Sequence, residues 1–128
     1  MSTAIGRWPI MVIDCPDPHT LALFYSAVTG WPVIGEEDSE WVQLDSSHTS
    51  TIGFQRVNGY RAPQWPGQDV PQQAHLDFTV DNLADAEYLV LGLGAVKAPV
   101  QPGESWRVFL DPAGHPFCLV QATSEQMS

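Results

Sequence analysis

Apolar and polar positions along this chain fall into short blocks whose period changes several times. Trp8–Asp14 (WPIMVID) is an apolar, branched run and predicts a strand. Asp17-Pro18 follows, with the aspartate as a helix N-cap and the proline at the first helical position. Behind it Leu21, Phe24, Tyr25 and Val28 recur at i, i+3, i+4 and i+7, one apolar helix face, and Gly30 supplies the stop. Trp31–Ile34, Trp41–Leu44 and Thr51–Arg56 predict three strands, separated by polar turns at Glu36–Glu40 and Asp45–His48.

Val57–Gln73 breaks the rhythm. It carries Pro63, Pro66 and Pro71 together with Gly59, Gly67, Tyr60 and Trp65, so it predicts an ordered arm and neither a helix nor a strand. The pattern then restarts. His75–Val80 alternates as a strand, and Asn82 caps a helix with Asp85 three residues on. That helix lays Leu83, Ala86, Val90 and Leu93 on its apolar face and reaches Gly92 and Gly94 at its end. Val96–Ala98, Trp106–Leu110 and Pro116–Gln121 predict three further strands, and the tail after Ala122 is polar.

The second half repeats the first. Shifted by 65 residues, Asp17 falls on Asn82, Leu21 on Ala86, Tyr25 on Val90 and Trp41 on Trp106. A strand, a capped helix and three strands therefore occur twice in one order, and such a repeat decides the architecture before any single residue does. The expected organisation is one domain over 1–128, with module one about 7–56, the arm about 57–73 and module two about 74–122.

Composition narrows the partners. Fifteen acidic residues against five basic ones give a net charge of -10, a surface that repels nucleic acid and anionic membranes and favours neutral or cationic ligands. With 44% hydrophobic and 16% charged residues the chain is globular. No apolar run approaches the roughly 20 residues that span a bilayer, and the first residues lack a secretory pattern, so the expected address is cytoplasmic. Cys15 and Cys118 are expected there as reduced thiols.

The segments VIDCPDPHTLALFYSAVTGW, HLDFTVDNLADAEYLVLGLGA and VFLDPAGHPFCLVQ resemble the vicinal oxygen chelate superfamily, which includes glyoxalase, bleomycin resistance and dioxygenase proteins, and its glyoxalase-like bacterial branch in particular. The resemblance covers nearly the whole chain. It implies an α+β fold of two βαβββ modules forming a cup-shaped mixed sheet around a central cavity, and frequent homodimers. It also implies where a divalent metal would be held: one ligand on the first and one on the last strand of each module, usually His or Gln, Glu, His and Glu.

Carried over position by position, the resemblance makes His75 the ligand histidine of module two. Its repeat mate is Ile10, which cannot ligate. Cys118 stands where the last-strand glutamate belongs, and Gln55 is the expected counterpart in module one. Only His75 and Gln55 remain as orthodox metal candidates, and Cys118 brings a soft donor to a site built for harder ions. Cys118 could alternatively serve as a nucleophile with His75 as its base, or His75 and Cys118 could hold zinc with a third group such as His115. His115 and Asp111 are read as turn chemistry, and His19 and His48 as solvated.

Trp41, Trp65 and Trp106 supply aromatic wall for a small-molecule cavity. Arg107 alternates with Trp106, so whichever of the two faces the cavity excludes the other. The leading expectation is a small organic molecule, cationic or aromatic, bound by Trp41, Gln55, Trp65, His75, Trp106 and Cys118 with no cofactor. The alternatives are a metal-dependent lyase, isomerase or dioxygenase-type enzyme using His75, Gln55 and Cys118, and a non-catalytic interaction module gripping a partner with the arm.

Overall fold

The structure is a computed structural model that describes residue 7, residues 10–48 and residues 50–126. The chain divides after Tyr60 into two compact units. Unit 1 contains β1 (Ile10–Cys15), α1 (Pro18–Thr29), β2 (Val33–Ile34), β3 (Trp41–Leu44) and β4 (Thr51–Arg56). Unit 2 contains β5 (Leu76–Val80), α2 (Leu83–Gly92), β6 (Val96–Lys97), β7 (Trp106–Leu110) and β8 (Pro116–Gln121). Each unit is a four-stranded mixed sheet with one helix. The strand orders are β1-β4-β3-β2 and β5-β8-β7-β6, with the first and last strands of each module parallel and the other neighbours antiparallel.

The helix caps form as their residues dictate. Asp17 accepts the Thr20 N–H at 3.4 Å and the Thr20 hydroxyl at 2.7 Å, which satisfies one of the free donors of α1. Gly30 closes the helix at φ 78°, a conformation open to glycine at little cost. At the matching place in the repeat, the Asn82 side chain accepts the Asp85 N–H at 2.9 Å. On α2, Leu83 and Val90 are buried as expected, but Leu93 is not on the apolar face: the helix ends at Gly92, and Leu93 becomes an exposed C-cap.

Strand alternation then sorts the side chains. In unit 1, Val42, Leu44, Ile52 and Phe54 point toward α1, where Phe54 stacks on Tyr25 with ring centroids 5.8 Å apart. In unit 2, Phe109, Phe117 and Leu119 are likewise buried, and Phe117 meets Phe109 at 5.8 Å and Phe78 at 6.2 Å. These two apolar layers carry the stability of their units, since burying each such side chain contributes about 1.5–3 kcal/mol. The opposite sheet faces bear Trp41, Gln43, Gly53 and Gln55 in unit 1, and Trp106, Val108, Cys118 and Val120 in unit 2.

Several strand edges differ from the sequence reading by one to two residues. Trp31 and Pro32 stand outside β2, His75 immediately precedes β5, and Ala98 follows β6. Trp8 lies outside the described residues. The arm does not stand apart from the modules: the unit boundary falls within it, and from Arg61 onward it belongs to unit 2. There the Gln64 N–H donates to the Val70 carbonyl at 2.7 Å, and Trp65 packs against the buried cluster Ala98, Val108 and Cys118.

Candidate functional site

The site grows out of β5 and β8. These strands run parallel, with Asp77 directly beside Cys118 in the register. His75 lies two residues before Asp77, and the alternation of an extended chain brings both side chains to the same side. His75 Nε2 stands 3.1 Å from Asp77 Oδ1. One donor atom each from His75, Asp77 and Cys118 falls within 4.8 Å of the others. His75 and Asp77 are open to solvent, whereas Cys118 is buried between Val108 and Ala98.

Trp106, at the start of β7, supplies the wall. Its side chain packs against the Cys118 cluster, and its indole lies over Gly103 so closely that no Cβ could stand there. The loop carrying Gly103 is pinned by Gln101. That side chain donates to the carbonyls of Ala98 (2.9 Å) and Val108 (2.8 Å) and accepts the Val108 N–H (2.9 Å), which ties the loop to β7 just beyond its pairing with β6. Together His75, Asp77, Trp106, Cys118 and Val120 line a recess of about 260 Å³, open on one side.

The Trp106–Arg107 alternation is thereby resolved. Trp106 faces the recess, and Arg107 turns to the helix side, where its guanidinium donates to Glu87 on α2 at 3.0 Å. Lys97 meets the same carboxylate at 3.1 Å, and the two cations hold Glu87 below the usual carboxylate range against the cost of its burial. Trp65 joins the recess side of unit 2 through the Cys118 cluster.

Cys118 is a protonated thiol at neutral pH. Burial first, then the neighbouring Asp77 carboxylate and its hydrogen bond, push the thiol up to about 11. A nucleophilic cysteine needs the opposite environment, one that favours the thiolate. Burial and Asp77 thus disfavour the thiolate that the reading of Cys118 as a nucleophile activated by His75 requires. His75 makes its charge-assisted contact with Asp77 instead.

The expected counterpart of Cys118 in module one also needs correcting. The elements obey the 65-residue offset through the last strand, so the mate of Cys118 is Gly53, and Gln55 matches Val120. Gln55 is exposed and pairs across the sheet with Trp41. The Trp41 indole lies over Gly53, where an added Cβ would stand 2.6 Å from its Cζ2 and Cη2 atoms and 3.4 Å from Cγ2 of Ile10. Hydrocarbon thus covers the module-one position at which the superfamily usually places a ligand. Ile10, Gly53, His75 and Cys118 do not fit that oxygen- and nitrogen-rich set.

Asp77 is the residue that sequence reading passed over. It was legible in principle, because residues i and i+2 of a strand share a face and His75 had already been singled out. His115 does not join the cluster. Its backbone N–H, like that of Ala113, donates to Asp111 Oδ1 at 2.9 Å, so Asp111, itself buried, holds the turn as expected. Neither Cys15 nor Cys118 is in a disulfide.

Paired βαβββ units with this strand order define the vicinal oxygen chelate class of α+β proteins. Residues 10–120 match the Glyoxalase-like domain family, and the chain belongs to it. Among solved structures it is similar to a glyoxalase/bleomycin resistance protein/dioxygenase family enzyme from Burkholderia phytofirmans PsJN (TM-score 0.65, 21% identity, covering 92% of this chain and 100% of that one). It is also similar to the fosfomycin resistance protein FosX from Mesorhizobium loti (TM-score 0.61, 16% identity, 98% and 96% covered). A glyoxalase/bleomycin resistance protein from Albidiferax ferrireducens T118 aligns with TM-score 0.61 at 18% identity, over 89% and 97% of the two chains. No curated protein matches the sequence. Among the described residues no helix is long and apolar enough to cross a membrane.

Proposed function

We propose that this protein binds a small organic molecule in the unit 2 recess, without the four-ligand metal set usual in its superfamily. The observation that carries the reading is the pairing of an aromatic wall, Trp106, with an exposed carboxylate, Asp77, at opposite ends of one recess floored by Cys118 and Val120. An indole face and a nearby carboxylate together select a planar or cationic group. The net charge of -10 draws the same class of ligand toward the surface. The volume of about 260 Å³ lies just under the roughly 300–1,000 Å³ of drug-sized pockets, enough to seat one or two rings of a ligand. Two structural neighbours are named as fosfomycin and bleomycin resistance proteins, which supports a small organic molecule as the class of ligand.

Thermal-shift screening of cationic and neutral aromatic compounds on chelator-treated protein tests the reading, followed by titration calorimetry on the hits. The expected result is a raised melting temperature for a cationic aromatic subset, lost in Trp106→Ala and weakened in Asp77→Asn. A library in which no such compound stabilises the protein would overturn the reading.

A further inference from the structure

The polar end of the recess has a composition of its own. His75, Asp77 and Cys118 bring one nitrogen, one oxygen and one sulfur donor within 4.8 Å of one another, all from β5, the residue before it and β8 of a single module. Ligands at about 2.0–2.3 Å around a tetrahedral ion lie roughly 3.3–3.8 Å apart. The His75–Asp77 pair, at 3.1 Å, is already that close, and the Cys118 sulfur lies within 4.8 Å of both. The register holds Asp77 and Cys118 side by side on parallel strands, so the backbone fixes this approach.

We propose that His75, Asp77 and Cys118 form a site for a thiophilic divalent ion of the zinc class, contained within unit 2 and differing from the set usual in the superfamily by its Asp77 and Cys118 donors. A neutral imidazole, a carboxylate and a thiolate balance a dication, once the Cys118 proton has passed to solvent. Sulfur in the set selects zinc or cobalt over magnesium, calcium and manganese. Three protein donors leave a fourth position, and the cluster opens onto the recess, where a bound molecule could supply the missing ligand. The inference rests on the recess described above but not on any organic ligand.

Titration of the metal-free, reduced protein with Co²⁺, followed by its thiolate-to-cobalt charge-transfer absorption, tests it. The expected result is a band that saturates at one ion per chain, is displaced by Zn²⁺ and is unaffected by excess Mg²⁺ or Mn²⁺. The band is absent in Cys118→Ser, although Cys15 remains. In His75→Ala and Asp77→Asn, half-saturation moves upward at least about tenfold, whereas His115→Ala and Gln55→Ala leave it in place. His75 and Asp77 are exposed, so their variants keep the test valid if Cys118→Ser fails to fold. The absence of a saturable thiolate band in folded wild-type protein, or a band indifferent to both His75→Ala and Asp77→Asn, would overturn the site. Stabilisation by organic cations in chelator-treated protein is read separately, so either idea can fail without the other.

Discussion

The indole of Trp41 closes over Gly53, whereas its repeat mate Trp106 closes over Gly103 in the loop before its own strand. The difference separates the two modules. In unit 1 the tryptophan covers the last-strand position that matches Cys118. In unit 2 the tryptophan rests on the loop, and Cys118 is left as the floor of a recess reached by His75 and Asp77.

The Trp41–Gly53 contact predicts a strong coupling. A Cβ at Gly53 would meet the ring at 2.6 Å, so Gly53→Ala must displace the indole. Crowding of this kind costs about 1–3 kcal/mol. Trp41 is partly exposed, which places the expected loss toward the lower end. In a Trp41→Ala background the same substitution should cost under about 0.5 kcal/mol. A double-mutant cycle by urea denaturation measures the difference, and equal costs in both backgrounds would show that the ring gives way freely.

The two helix caps are repeat mates with different chemistry, and pH separates them. The Thr20 hydroxyl bond, chief among the groups that hold Asp17, keeps its carboxyl below the usual value. Asp17 therefore contributes stability that is present above the ordinary carboxylate range and disappears as pH falls through its folded value. Asp17→Ala should cost about 1 kcal/mol at neutral pH and less as the pH drops below about 4. Asn82→Ala should cost a similar amount at every pH, because its amide does not titrate. Chemical denaturation of both variants across acidic pH provides the comparison.

Much of this architecture was legible because local signals agreed with one another. The Asp17-Pro18 cap, the Gly30 stop and the alternation of Trp106–Leu110 and Pro116–Gln121 each act over a few residues, and each formed where its chemistry required. What a single strand could not reveal was its neighbour. Asp77 belongs to the site because β5 pairs in parallel with β8, a contact between residues about 40 positions apart. Gln55 was matched to Cys118 for its chemistry, and only the pairing register assigns that position to Gly53. The side taken by Trp106 depended likewise on Glu87, which draws Arg107 toward the helix.

That division of sides predicts opposite phenotypes for adjacent residues. Trp106→Ala should lower the affinity for a recess ligand at least about tenfold, equivalent to about 1.4 kcal/mol. Arg107→Ala should leave that affinity unchanged and lower stability by about 0.2–1 kcal/mol through loss of its bond to Glu87. Calorimetric binding and denaturation curves on the two variants decide between this arrangement and its reverse.

Cys118 makes the last prediction, for the metal-free protein. Its thiol is raised from the ordinary value of 9.0 to about 11, so the folded chain holds this proton more tightly than the unfolded chain. Below pH 9 both states are protonated and the group adds no pH dependence. As pH rises from 9 toward 11 the unfolded thiol ionises first, and stability must fall across that window. The decline attributable to this group should be missing in Cys118→Ser, so the stability advantage of the wild type over the variant should shrink from pH 9 upward. The same shift, two pH units, lowers the thiolate fraction at neutral pH by about a hundredfold, and alkylation of folded protein by iodoacetamide should be slowed by at least that factor relative to a free thiol. Cys15 is fully buried and should react only on unfolding, so mass mapping of the modified cysteine separates the two. Rapid alkylation of Cys118 at neutral pH would show instead that its thiolate is stabilised, and the nucleophile reading would return.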